Sequence, residues 1–182
     1  LAIGGGCEVL LACDSIQAHS ESYIGLVEVG VGLVPAWGGC KEMITRWNND
    51  PNQAKGPMAS IVKIFQNIGT AKVATSAQEA KSLKFLNSED GITMNRSRLL
   101  HDAKQKCLAL IKDYSAPLPN EHNLPGPSGK ATLDLAVSDL VKAGHATPHD
   151  VVVTEHLAYI LTGGDTDPTV TVSDDKILEM ER

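Results

Sequence analysis

The chain has 182 residues, enough for one sizeable domain with a core of its own. Its hydrophobic share of 42% and charged share of 21% are those of a globular protein. A net charge of −6, with no Lys or Arg before Lys41, argues against a nucleic-acid partner, because neutralising phosphates needs clustered basic residues.

In chain order, Leu1-Ala2-Ile3-Gly4-Gly5-Gly6 has no initiator Met and no polar lead-in. It reads as the interior of a folded domain, and the expectation is a chain cut from a longer one. Cys7 to Cys13 predicts a short apolar helix opened by glycines. Ser15–Ala18 and Tyr23–Val27 predict short strands around the polar turn His19-Ser20-Glu21. Residues 29–40 form a Gly-rich apolar loop, with a helix from about Lys41 to Trp47.

After the polar loop Asn48–Pro57, apolar residues at helical spacing predict a helix over Ala59–Ile68. Ser76 with Glu79 three residues on is a capping-box pattern that starts another. Asn95–Tyr114 reads as the longest amphipathic helix, with Leu99, Leu100, Ala103, Cys107, Leu110 and Ile111 as its core-facing stripe. Pro, Gly and Asn concentrate around residues 116–129, which predicts a linker between a core at 1–115 and a helical region at 130–182. Helices are expected near Lys130–Ala143 and Pro148–Leu161, the second stopped by Gly163-Gly164. The polar tail after Asp165 is expected to pack weakly, apart from a short helix near Asp174–Glu181. No run of apolar residues approaches membrane-span length.

Four cysteines (Cys7, Cys13, Cys40, Cys107) make no C-x-x-C pair, and three lie in apolar stretches, as free buried thiols do. A reducing compartment, and so a cytoplasmic location, is the simpler reading.

Two acidic residues stand apart. Among acidic, basic and histidine residues, Glu8 is the sole one from Leu1 to Cys13 and Glu28 the sole one from Tyr23 through Cys40. A lone carboxylate in an apolar segment is costly to bury, so it faces solvent, meets a distant cation or serves chemistry. Desolvation raises a carboxyl pKa toward neutrality, where proton exchange becomes useful. One such Glu favours the bland explanation; two, each beside a glycine cluster, favour a site. The cluster Gly4-Gly5-Gly6 precedes a helix, whose first N–H groups face outward and favour negative charge. It is neither a dinucleotide fingerprint nor a P-loop.

Taken together, Gly4-Gly5-Gly6-Cys7-Glu8, Ala12-Cys13-Asp14, Gly25-Leu26-Val27-Glu28, Gly32-Leu33-Val34-Pro35 and Gly38-Gly39 resemble the enoyl-CoA hydratase/isomerase (crotonase) signature in order and spacing. The match is dense over roughly the first 45 residues and loose beyond them. Glu21–Glu28 and Ala158–Gly164 look closer to one subgroup, the 3-hydroxyacyl-CoA dehydrogenases that carry a crotonase domain on their C-terminal side.

The resemblance implies an α/β crotonase-like (ClpP/crotonase) fold without its N-terminal half, followed by a helical region. It implies hydration of a trans-2-enoyl-CoA to a 3-hydroxyacyl-CoA, with Glu8 and Glu28 as catalytic carboxylates holding a water. Glu8 would help take a proton from that water, and Glu28 would protonate Cα. The Gly5 N–H would be one arm of the oxyanion hole, the other lying upstream, and the Ala36 amide would help position the water. On this reading the isolated chain is inactive or nearly so.

No metal or redox cofactor is expected in this part. Coenzyme A comes with the substrate, and NAD belongs to a fused upstream dehydrogenase domain. Expected partners are the acyl-CoA thioester, that domain and further copies of the chain. The alternatives are an enoyl-CoA isomerase, which often works with one carboxylate, and a crotonase scaffold kept for docking or oligomerisation.

Two departures from the family pattern stand out. Ala36 replaces the usual Gly but keeps the backbone donor, and bulky Trp37 either trims an acyl pocket or, the better reading, packs on the next helix. His145 and His149 sit four apart, but Pro148 between them points to a helix start rather than a metal pair. His19-Ser20 lacks an orienting acid. His101-Asp102 and His156 read as surface or packing residues.

Overall fold

The structure, a computed structural model, describes residues 1–182 apart from the side chain of Asp113. Its elements are β1 (Ala2–Ile3), α1 (Gly5–Leu11), β2 (Gln17–His19), β3 (Ile24–Gly25), a 3-10 turn at Glu28–Val31, α2 (Gly39–Asn48), α3 (Pro57–Gly69), α4 (Ala77–Ser82) and β4 (Gly91–Thr93). There follow a 3-10 turn at Arg96–Arg98, α5 (Leu99–Leu110), a 3-10 turn at Ile111–Asp113, β5 (Glu121–His122), α6 (Gly126–Lys142), α7 (Pro148–Thr162), β6 (Val172–Ser173) and α8 (Asp174–Glu181).

The strands form three two-stranded ladders. β1 pairs with β3 and β2 with β4, both parallel, and β5 pairs antiparallel with β6. Parallel pairing needs a crossover, and α1 supplies it between β1 and β3. Gly25 allows a close approach there, since a Cβ would stand 2.6 Å from the Lys72 carbonyl.

The core lies where α2, α3 and α7 meet. Ile61, Ile64 and Ile68 recur at helical spacing on one face of α3 and are fully buried, against Met43 and Ile44 of α2 and Leu157 and Leu161 of α7. Each such side chain contributes about 1.5–3 kcal/mol by leaving water. α7 begins as its sequence demands. Thr147 and Asp150 form a reciprocal capping box ahead of Pro148, and Gly163 ends the helix in the left-handed region at φ 86°.

Two expectations are corrected. The Asn95–Tyr114 segment breaks into two 3-10 turns around α5, and none of α5's residues is buried: of the stripe, Leu99 and Ala103 are half-buried, and Leu100, Cys107, Leu110 and Ile111 are exposed. The longest helix is α6, with 17 residues. The tail after Asp165 divides as expected: residues 165–171 are exposed apart from half-buried Thr166, whereas Val172 and Ile177 join the core and Asp174 and Glu181 are buried. Asp174 holds it by accepting from the Asn120 N–H at 2.7 Å and lying 2.7 Å from His122 Nε2. The expected linker contains β5 and the start of α6, and Leu124, Leu133, Leu157 and Ile177 share one core cluster with Cys7 and Leu11.

Candidate active site

Glu8 lies in the first turn of α1, one turn on from Gly4, whose backbone (φ 56°, ψ −133°) is open to glycine and strained for other residues. The Glu8 carboxyl reaches across to the loop before α2. The Trp37 N–H donates to Glu8 Oε1 at 2.8 Å and the Gly39 N–H donates to the same oxygen at 3.0 Å. Glu8 is 6% exposed. Gly39 has no room for a side chain, because a Cβ would stand 2.8 Å from Pro35 Cβ and 3.0 Å from Glu8 Oε1.

Glu28 opens the 3-10 turn that Gly32 closes in the left-handed region at φ 80°. The residue is only half-buried, yet both carboxyl oxygens are sealed from solvent without a hydrogen-bond partner among the described residues. Burial pushes its carboxyl above the ordinary range. Its own amide and that of Val27 lie close enough to temper the rise, though outside hydrogen-bond geometry, and the Glu8 charge adds to it. Glu28 Oε1 is 3.5 Å from where a Gly4 Cβ would stand, and the Gly4 carbonyl accepts from the Glu8 N–H at 3.1 Å. Cys7 feels both. Its thiol is pushed up to about 12, chiefly by burial and then by the charge of Glu28, with Glu8 adding less. It is a packed thiol rather than a nucleophile.

A third carboxylate completes the group, one that sequence reading passed over. Glu181, the last residue of α8, is 3% exposed. It accepts from the Gly38 N–H at 2.5 Å and from the Lys41 N–H at 2.7 Å. Burial pushes its carboxyl up to about 7; those two bonds oppose the rise and the charge of Glu8 favours it. Among the described residues no Lys or Arg forms an ion pair with Glu8, Glu28 or Glu181. The buried Arg46 instead donates to the carbonyls of Leu11 and Phe85. No local signal marks Glu181, which sits among Asp174, Asp175 and Glu179 like any solvated helix face.

The structure thus brings Glu8 and Glu28 together at the glycine cluster. The N–H groups of Gly5 and Gly6 begin α1 with no hydrogen-bond partner among the described residues, and both glycines are exposed. Ala36 lies beside the amides that reach Glu8, but those are the amides of Trp37 and Gly39. Trp37 does not pack on the next helix: it is 79% exposed, on the same apolar loop as the exposed Val31 and Leu33. His149 lies 3.0 Å from the Gly32 carbonyl, so its ring Nε2 donates there and braces the loop from α7. Cys13 and Cys107 are exposed and Cys7 and Cys40 buried, all as free thiols.

The chain resembles parts of longer proteins named for β-oxidation chemistry. Along its whole length it is 38% identical to a probable 3-hydroxyacyl-CoA dehydrogenase of Bacillus subtilis, of which it covers 23%. It is 37% identical, over 69% of its residues, to a Rickettsia felis protein named a fatty acid oxidation complex trifunctional enzyme, of which the match covers 16%. A match of 43% identity over 42 residues, 23% of this chain and 16% of the other, is to a short-chain-enoyl-CoA hydratase of Clostridium acetobutylicum. An enoyl-CoA hydratase structure from Bacillus anthracis superposes with a TM-score of 0.48 at 22% identity, covering 88% of this chain and 50% of that one. No family model matches. The chain therefore spans about a quarter or less of the length of these two curated relatives.

Proposed function

We propose that this chain is the hydratase part of a longer fatty-acid β-oxidation enzyme and adds water across the double bond of a trans-2-enoyl-CoA. The observation that carries the proposal is the contrast within the carboxyl pair. Glu8 Oε1 accepts two backbone N–H groups, while Glu28 has both oxygens buried and unpartnered beside it. Unpaired buried polar atoms cost about 1–3 kcal/mol each, and functional sites are where such costs are retained.

The two surroundings suit different roles. Glu8 is oriented as an acceptor and takes a proton from the water as its oxygen bonds to Cβ. Glu28, whose burial favours the protonated form, gives a proton to Cα of the enolate. Return of a proton from Glu8 to Glu28 restores the starting state. The Gly5 N–H is one donor to the thioester oxygen as negative charge builds there. The Ala36 amide is assigned to the water, and the apolar loop bearing Val31, Leu33 and Trp37 to the acyl chain.

The names of the longer relatives support a parent chain that also holds a 3-hydroxyacyl-CoA dehydrogenase. Its NAD would bind outside this segment. Free exposed thiols fit a cytoplasmic setting, and the bare apolar face of α5 fits assembly with more protein surface, including further copies.

The test is hydration of crotonyl-CoA by the full-length protein. Glu8→Gln and Glu28→Gln are each expected to lower kcat by more than about 10²-fold. Loss with Glu28→Gln alone would indicate an isomerase-like, one-carboxylate site. Losses under a few-fold for both would leave a docking scaffold.

A further inference from the structure

The N-terminus of α2 has no side-chain cap of its own. Its N-cap is Gly38, in the left-handed region at φ 101°, followed by Gly39. A helix start leaves several N–H groups without intrahelical partners. Here they are satisfied from outside, by two carboxylates from opposite ends of the chain. The amides of Trp37 and Gly39 donate to Glu8, and those of Gly38 and Lys41 donate to Glu181. Three of the four are consecutive peptide groups, so a turn that loses one set of bonds cannot keep the other in place.

We propose that Glu181 is a positioning residue for Glu8: by holding the Gly38 and Lys41 amides it fixes the turn whose alternate amides orient the Glu8 carboxylate. The inference rests on the hydratase reading and adds the C-terminal helix to the site. Glu181 is itself well placed to hold the turn. Ile177 of the same helix is fully buried, and Asp174 at its start ties to Asn120 and His122. The charged groups facing Glu181 are Glu8 from α1 and Lys41 from α2, whose ammonium pairs with Glu42.

The test uses the full-length protein with crotonyl-CoA as probe. Glu181→Ala is expected to lower kcat about tenfold or more while KM stays within about twofold, since a small misplacement of a reacting group costs turnover rather than binding. Glu181→Gln keeps one acceptor and should fall between Ala and wild type. In a Glu8→Gln background, Glu181→Ala should add nothing, as residues acting through one group are not additive. An unchanged kcat in Glu181→Ala, or an additive loss in the double variant, overturns the proposal.

Amide hydrogen exchange supplies a readout independent of turnover. Glu181→Ala should speed exchange in residues 36–42 by about tenfold or more and leave α3 protected. Unchanged exchange at 36–42, or acceleration across α3 as well, overturns the positioning role. If Glu8→Gln hydrates as well as wild type, the hydratase reading falls, and the exchange pattern alone decides whether Glu181 holds the turn.

Discussion

The two turns that carry the site solve the burial of a carboxylate in opposite ways. At residues 37–41 the carboxylates that arrive find backbone N–H groups: Glu8 takes two on one oxygen and Glu181 takes one on each. At residues 28–32 the Glu28 carboxyl enters a closed space and finds none in hydrogen-bond geometry. Burial alone therefore does not distinguish an anchored acid from a reactive one; the supply of donors does. The first turn is built to hold negative charge at the start of a helix, where the dipole also favours it. The second keeps a carboxyl in the state water would have stabilised poorly, which is the state that gives up a proton usefully.

The largest expected effects separate the two in stability while uniting them in catalysis. Glu8→Gln and Glu28→Gln should both abolish most hydration, yet Glu8→Ala and Glu28→Gln should differ in stability. Glu8→Ala leaves the Trp37 and Gly39 amides without their acceptor, at a cost on the order of 2–4 kcal/mol. Glu28→Gln exchanges one unpartnered, neutral buried polar group for another of like size and should leave stability within about 1 kcal/mol. Urea unfolding checks both, and a Glu28→Gln loss as large as that of Glu8→Ala would erase the contrast.

Next in size is Gly39→Ala. The added Cβ meets Pro35 and Glu8 Oε1 at 2.8 and 3.0 Å, and Leu26 Cδ2 at 3.1 Å. Backbone and ring must shift, for about 1–3 kcal/mol of stability, and the shift moves the Glu8 acceptor. Turnover should fall about 10- to 100-fold, with KM little changed. Gly5→Ala is the control on the other side. Nothing lies within 4 Å of its Cβ position, so stability should barely move.

The pH dependence of stability is smaller. Glu181 has its folded-state pKa raised from 4.5 to about 7. Between those values the folded chain binds more protons than the unfolded one, so stability falls as pH rises. This contribution is fully present below about pH 4.5 and lost as pH passes 7, a change on the order of 3 kcal/mol. Glu28 acts in the same direction. Carboxylates held low by hydrogen bonds, such as Glu79 and Asp150, act the other way at lower pH. The clean observable is hence the difference between wild type and Glu181→Gln. The variant should lose stability less steeply from pH 5 to 7, and parallel Tm curves would contradict the assignment.

Much of this was legible in the residues. Glu8 and Glu28 stood out because nothing else ionisable lay near them in sequence, and the structure seals both from solvent at their carboxyl oxygens or nearly so. The helices over 39–48, 57–69, 148–162 and 174–181 follow from periodicity, caps and glycine stops. Glu181 was illegible because its partners are backbone amides some 140 positions away, and an amide carries no sequence signal. Trp37 was misread for the same kind of reason. Its backbone N–H is fixed by Glu8, which leaves the indole pointing outward whatever its appetite for packing. Ser76 and Glu79 show how near a motif can come: the Ser76 side chain caps the Glu79 N–H, but the Glu79 carboxylate turns to the amide and hydroxyl of Thr75.

The smallest expected effect probes the α5 misreading. Helical spacing says that a stripe exists, but not that anything lies opposite it. Leu100 belongs to that stripe and is 82% exposed, while Leu157, equally apolar and on an equally regular helix, is fully buried. Leu157→Ala should cost about 2–5 kcal/mol, because it empties space among α3 and α7 neighbours. Leu100→Ser should change the stability of this chain by no more than about 0.5 kcal/mol, because its side chain already lies largely in solvent. Thermal unfolding of the two variants side by side checks the pair. A Leu100→Ser loss approaching that of Leu157→Ala would mean that α5 turns its stripe inward in solution, and that the sequence pattern was right about the core after all.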